Sequence, residues 1–313
     1  MPSLSRLLPV AAVVLATAAA SGATPRLPFR LAESPNPPED LVAIRPATIS
    51  YRMSGEFTRE GDVIPAPLAN LSFPGTLSVM RHQVTAGEFQ RCVAARACTQ
   101  PDREPLSVDR PMVRVNWRDA DTYAAWLSRE TGESYRLPTD QEWAYFAGNR
   151  LSDDDQPAAS SASDPGARAL ASYDRDTVRR GSDDKQPKPI GFYGVNENGL
   201  LDLAGNVWEW TSTCYVRTST LSKANRPSAI VNCGVRVVEG KHRGYITDFI
   251  RDPRSGGCSV GVPPSNLGFR LVRDNDPWRL HWVATYLPAK VPVGSSQYQA
   301  QISDPVKPKR SSP

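Results

Sequence analysis

The chain has 313 residues, 40% of them hydrophobic and 22% charged, with 37 Lys and Arg against 33 Asp and Glu. This is a globular composition, long enough for one large or two ordinary domains, and 29 prolines point to much loop. A formal net charge of +4 is too weak for nucleic acid to be the main partner, and the terminal Lys307-Pro308-Lys309-Arg310 run reads as a solvated tail.

Residues 1–23 read as a secretory signal: Arg6 is the charged start, Leu7 to Ala20 the apolar stretch and Ser21-Gly22-Ala23 the small-residue cleavage site. A membrane anchor is the competing reading, but the apolar run falls short of the ~20 residues that span a bilayer. No cysteine follows it to carry a lipid, and no second run of spanning length appears. The expectation is an exported protein, periplasmic or secreted, with no integral membrane segment after cleavage. Residues 24–46 carry Pro25, Pro28, Pro35, Pro37 and Pro38 with little periodicity and predict an extended linker.

From Ala47 the pattern turns to short strands: Thr48–Met53, Leu71-Ser72-Phe73 and Leu77–Val84, separated by glycine and proline turns. Thr85 with Glu88 three residues on makes a capping box that opens a helix, with Phe89 and Val93 on one face. A second helix starts near Asn116, with Asp119 at the same distance, repeats Ala120, Tyr123, Ala124 and Leu127, and ends at Gly132. A third opens at Thr139 with Glu142 and buries Trp143 and Phe146 or Ala147. Asn149 to about Lys188 is a long polar segment predicted to wrap irregularly over the core, anchored at Leu170–Tyr173. Thr211–Asn232 reads as mostly loop, Val235–Val238 as a core strand and Leu267 to Val272 as a closing strand. Beyond Asn275, Trp278, Trp282 and Tyr286 suggest a docked extension, and the tail to residue 313 reads as disordered.

One stretch stands apart from these periods. In residues 199–210, GLLDLAGNVWEW, two glycines and the oxygens of Asp202, Asn206 and Glu209 interleave with Leu200, Leu201, Leu203, Val207, Trp208 and Trp210. Two indoles so close together favour burial, and buried carboxylates between them need partners. A hard cation such as calcium would serve, with Asp202 and Glu209 supplying charge and backbone carbonyls completing an oxygen shell. So would an ordinary turn with hydrogen-bonded carboxylates.

This stretch resembles the signature of the formylglycine-generating enzyme family, the sulfatase-modifying-factor domain. Three more segments agree in order: Val84–Phe89, Tyr135–Trp143 and Asn266–Arg273. The resemblance covers roughly residues 50–275, and the domain is expected over 47–275. It implies an α+β, C-type-lectin-like fold with short strands, few helices and much irregular structure. It also implies calcium at Asp202, Gly205, Val207 and Glu209, the middle two through carbonyls; the plainer alternative is that the carboxylates brace the core through Arg270 or backbone amides. The family's first calcium site has no evident asparagine here. Disulfides persist in oxidising compartments, and cysteine positions recurring in the family suggest Cys92 with Cys98 and Cys214 with Cys233. Cys258 is left over, and the inert reading is preferred because only Arg254 is a cation beside it.

Copper-dependent members hold Cu(I) on two cysteines shortly after an Arg-Val-x-x-Gly-Gly-Ser stretch, and soft thiolates select that ion. Here the places expected for them hold about Tyr245 and Ile250, and no thiol lies between Cys233 and Cys258. Copper chemistry is therefore not expected. A histidine-iron branch fits no better, since His82, His242 and His281 lie far apart. A third branch, exported siderophore-tailoring proteins that lack the copper pair, shares these features. His242, Tyr245 and Asp248, with Lys241 and Arg243, fall where family active sites lie, and are the candidate catalytic group. A solvated charged loop is the plainer reading of them. The expected function is a periplasmic maturation or tailoring factor, an oxidoreductase if catalytic, acting on a protein or small-molecule substrate. The alternative is a non-catalytic lectin-like binding module.

Overall fold

Three helices begin where reciprocal caps place them. In the computed structural model, which describes residues 40–101, 107–152, 186–221, 228–253, 259–260 and 266–275, α1 spans Ala86–Ala94, α2 Trp117–Thr131 and α3 Asp140–Ala147. Thr85, Asn116 and Thr139 each accept a hydrogen bond from the third helical residue. The side chains of Glu88, Asp119 and Glu142 in turn accept from the cap backbone N–H. Gly132 closes α2 at φ 74°, a left-handed conformation that glycine adopts without a Cβ penalty.

The strands sort into three sheets. A four-stranded sheet runs β1 (Leu41–Ile44), β6 (Leu77–Met80), β13 (Val272–Arg273) and β7 (Tyr135–Arg136). A two-stranded ribbon joins β2 (Ala47–Arg52) to β5 (Leu68–Phe73). The largest sheet orders β11 (Ser259–Val260), β10 (Gly244–Thr247), β9 (Ser228–Glu239), β8 (Trp208–Leu221), β3 (Glu56–Arg59) and β4 (Asp62–Ile64). β12 (Leu267–Gly268) runs parallel to the start of β8, and β3 parallel to its far end. Few helices, many short strands and long connections make this a mixed helix-and-strand fold, as expected.

Two parts of the core hold these layers together. Phe89, Tyr123, Trp126, Trp208, Trp210 and Phe269 pack between α1, α2 and the large sheet. Trp143, Phe146, Leu200, Leu203 and Val272 pack under α3. Burying both indoles of residues 199–210, as their spacing predicts, removes on the order of 150–250 Å² each from water.

Some boundaries differ from the sequence reading. Leu41–Ile44 lies inside the expected linker but pairs with Leu77–Met80, because its alternate apolar side chains complete the edge of that sheet. Most of Thr211–Asn232 is strand, not loop: Thr, Tyr and Val in β8 carry strand propensity that its polar composition hid. The closing strand is broken by Phe269-Arg270-Leu271, where Arg270 turns inward and the backbone bonds to Met80 and Val84 instead. The expected signal segment, the anchor at 170–173, Cys258 and the aromatic extension lie outside the described residues.

Candidate functional site

The turn that opens the large sheet is held by side chains acting as caps. Residues Asp202, Ala204 and Asn206 take φ of 58°, 54° and 58°, a region costly for residues with a Cβ unless the surroundings fix it. The fixing groups are local. Asp202 accepts N–H groups from Gly191 (2.6 Å) and Tyr193 (2.7 Å), and Asn206 both accepts from and donates to the backbone of Lys188 (2.8 and 3.0 Å). Gly205 faces the Tyr193 ring so closely that a Cβ would lie 2.8 Å from it. Asn196 ties this turn to α3: its amide donates to the carbonyls of Phe146 and Ala147, and its oxygen accepts from Asn198 and Leu200. Nothing in the sequence reading singled out Asn196; its signal was position, two residues before the Asn198-Gly199 turn.

Glu209, 1% exposed at the start of β8, is ringed by donors. Its Oε1 accepts Gln83 Nε2 (2.8 Å) and Arg270 Nη2 (3.0 Å), and its Oε2 accepts Trp143 Nε1 (2.9 Å) and Arg270 Nε (3.1 Å). Arg270, fully buried, also donates to the carbonyls of Met80, Arg81 and Leu201. A carboxylate offers about four lone-pair positions, and N–H donors occupy those of Glu209. Asp202 likewise faces N–H groups. A calcium ion at Asp202, Gly205, Val207 and Glu209 would have to displace one of the Gln83, Trp143 or Arg270 donors from Glu209, so Glu209 as placed does not fit one. Among the described residues no three His, Cys, Asp or Glu side chains converge in a way that could hold a metal ion. The arrangement is the bracing one weighed above, through Arg270 and backbone amides.

The second polar cluster lies where α3, β2, β9 and the turn into β10 meet. Tyr51 donates to Asp140 Oδ2, Thr213 donates to Asp140 Oδ1 (2.8 Å), and the Asp140 N–H donates to Thr213 Oγ1 (3.0 Å). Arg243 donates to Glu239 Oε1 (2.7 Å) and the Arg52 carbonyl (3.0 Å), with its guanidinium 5.1 Å from the Tyr51 ring centre. Tyr51, Asp140 and Glu239 are 1–2% exposed. Burial, reinforced by Asp140, pushes the Tyr51 phenol well above its ordinary range. Burial opposes the charge on Arg243, but Glu239 beside it outweighs that and holds it protonated. A phenol on a carboxylate next to a fixed cation can hold a proton or orient a polar group.

His242, Tyr245 and Asp248 surround β10 but each is turned to its own partners. Trp208 Nε1 donates to the His242 carbonyl (3.0 Å), and the two rings meet edge to face at 5.2 Å. Gly240 is needed beneath them, since a Cβ there would come within 2.6 Å of the Trp208 ring. The Tyr245 hydroxyl accepts the Gly55 N–H (2.8 Å), and its ring packs on Tyr215 at 5.1 Å. Asp248 accepts from Arg118 (3.2 Å), while its backbone bridges Gly234 and Trp117. The interlocked buried groups beside this turn are Tyr51, Asp140, Glu239 and Arg243. The sequence reading named Arg243 but missed its partners: Tyr51 and Asp140 lie far off in the chain, and Glu239 is brought to Arg243 by the turn between β9 and β10.

Both expected disulfides form, Cys92–Cys98 at the end of α1 and Cys214–Cys233 across β8 and β9. No helix among the described residues is long and apolar enough to cross a membrane.

Residues 29–275 match the model of the sulfatase-modifying factor enzyme 1-like domain. The chain belongs to that family. Among its relatives is the formylglycine-generating enzyme of Streptomyces coelicolor, 31% identical over 185 residues, covering 54% of each chain. Another is the inactive C-alpha-formylglycine-generating enzyme 2 of Mus musculus, 34% identical over 180 residues, covering 54% of this chain and 50% of that one. The chain therefore spans about half the length of these curated family members. Among solved structures it is similar to PvdO from Pseudomonas aeruginosa, at 19% identity and a TM-score of 0.47, covering 75% of this chain and 94% of the other.

Proposed function

We propose that this family member is an exported maturation or tailoring factor that works without a copper thiolate pair. It would act on a periplasmic protein or small-molecule substrate at the β8–β10 end. The observation that carries the reading is the content of β10 and the turn after it. Where copper-binding thiols are expected stand Tyr245, whose hydroxyl takes the Gly55 N–H, and Ile250, packed against the core. Neither is a soft ligand. Beneath them the Tyr51–Asp140 pair and Arg243 supply a proton-holding group beside a fixed cation, the kind of buried titratable assembly that marks working sites. The relatives include both a formylglycine-generating enzyme and a protein named inactive, at similar identity, so overall likeness does not choose between them.

A non-catalytic binding module is the second reading. It is favoured by His242, Tyr245 and Asp248 being tied to three different protein partners rather than to one another.

The test begins with protein purified from an exported fraction, incubated with a cysteine peptide, Cu(I) and oxygen, with aldehyde formation read by a carbonyl probe. No aldehyde is expected, and stoichiometric aldehyde would overturn the copper-free assignment. Periplasmic extract is then incubated with wild type, Tyr51→Phe and Asp140→Asn. A product formed by wild type and lost in both folded variants supports a tailoring factor. Retention of a ligand without conversion supports the module.

A further inference from the structure

The two disulfides sit in opposite environments. Cys92 is fully buried and Cys98 is 9% exposed, both within the apolar core beside Phe89. Cys233 instead lies exposed in β9, at the point where the register with β8 slips: Cys214 pairs with Arg236, but Tyr215 pairs with Asn232. Its partner Cys214 is half-buried, and Arg236 Nη1 approaches the Cys214 sulfur at 3.2 Å. The same nitrogen donates to the Ser212 carbonyl (2.7 Å), and the guanidinium lies 3.9 Å from the Trp117 ring centre. Three contacts therefore hold a cation against one sulfur of an otherwise open bridge. Arg236 Nε is buried without a partner, so this placement leaves a donor unsatisfied beside the sulfur.

We propose that Cys214–Cys233 is a thiol-exchange site, attacked at the sulfur of the exposed residue Cys233 by an external thiolate, with Cys214 as the leaving thiolate stabilised by Arg236. The external sulfur bonds to Cys233 and the bond between Cys233 and Cys214 breaks. The electron pair goes to Cys214, beside the guanidinium. A second external thiolate then attacks the mixed disulfide, releasing an external disulfide and the Cys233 thiolate. Two thiols are oxidised, one protein disulfide is reduced, and the two protons end on solvent or on the freed cysteines. A cationic neighbour speeds such exchange by making the departing sulfur a better leaving group. The reacting class is a thiol, either a small molecule or a peptide cysteine. This inference does not depend on the tailoring reading.

The experiment uses the full chain with two probes in parallel arms, glutathione and a cysteine-containing peptide, each quenched by alkylation and mapped by mass spectrometry. In at least one arm the adduct is expected on Cys233, with Cys214 alkylated, and with this bridge opening about tenfold or more faster than Cys92–Cys98. Which arm reacts faster identifies the source of the thiol. Arg236→Met is expected to slow opening by about tenfold and to raise the pH at which reduced Cys214 alkylates, while Arg236→Lys retains part of the effect. That pH midpoint is read knowing that Asp121 of α2 and Asp248 after β10 face Arg236. Adducts on Cys214, equal opening of both bridges, or an unchanged rate in Arg236→Met would each overturn the proposal. The position of the adduct and the ratio of the two bridges are read on wild type, so the proposal stays testable if a variant fails to fold.

Discussion

Two buried polar clusters, about equally hidden from water, are built differently. Around Glu209 a carboxylate, a guanidinium, an amide and an indole saturate one another, and every charged atom faces a fixed donor or acceptor. Around Asp140 the components are a phenol, two carboxylates and a guanidinium reached from β2, α3, β9 and the turn into β10, with a titratable hydroxyl at the centre. The first is a brace: each of its charged groups is held by several fixed partners. The second centres on a phenol whose proton burial and Asp140 hold more firmly than usual, beside the guanidinium of Arg243. Burial alone does not distinguish the two; the number of fixed partners on each group does.

The brace should be the costlier to break. Arg270→Met leaves Glu209 ionised and buried without its cation, a loss of about 3–5 kcal/mol, or roughly 10 °C in melting temperature for a domain of this size. Glu209→Gln strands Arg270 with a similar direction of effect. The double variant Glu209→Gln/Arg270→Met should recover part of the loss, because the pair is removed together. Melting temperatures of the four proteins measure this. If calcium stabilises wild type in the same melts, the saturated description of Glu209 is wrong.

Next comes the cap that holds the turn preceding β8. Asp202→Ala removes two charge-assisted hydrogen bonds from the Gly191 and Tyr193 N–H groups, each worth about 1.5–3 kcal/mol before relaxation and rehydration. The expected signature is local. Amide exchange should rise across residues 186–206 more than in α1 or α2, separating a cap from a global brace.

How far these clusters could be seen in the sequence follows from how local they are. The capping boxes at Thr85, Asn116 and Thr139 were legible because both partners sit within three residues. The GLLDLAGNVWEW stretch declared buried carboxylates, but their partners Gln83, Trp143 and Arg270 lie far off in the chain. Ion and guanidinium were therefore both admissible from spacing. Tyr51, Asp140, Glu239 and Arg243 gave no joint signal, since only the folded sheets bring them together. β8 was hidden for a different reason: its Thr and Ser residues pack on neighbouring strands, where polarity misleads but β-branched shape does not.

Breaking the second cluster should cost less stability and more function. Tyr51→Phe removes the donor to Asp140, which keeps Thr213, so the expected loss is about 1–2 kcal/mol. If Tyr51 is only structural, the fall in melting temperature will account for any loss of conversion in periplasmic extract. If it holds a working proton, conversion will vanish in protein that remains folded at the assay temperature.

The smallest expected effect tests whether a third ion pair behaves like the brace or like the titratable cluster. Burial would raise the Glu142 carboxyl, but hydrogen bonds and charge from Arg136 and the Thr139 cap outweigh it and hold the group below its ordinary value. A carboxylate depressed in the folded state binds protons more readily when unfolded. Its contribution is present above the unfolded value of about 4.3 and is lost as pH falls through the lower folded value. Melting temperature measured from pH 7 down to 3 should therefore fall in wild type, and Glu142→Gln should start lower but lose less across the acid limb. Parallel curves would mean that Arg136 and Glu142 are coupled too weakly to set acid stability.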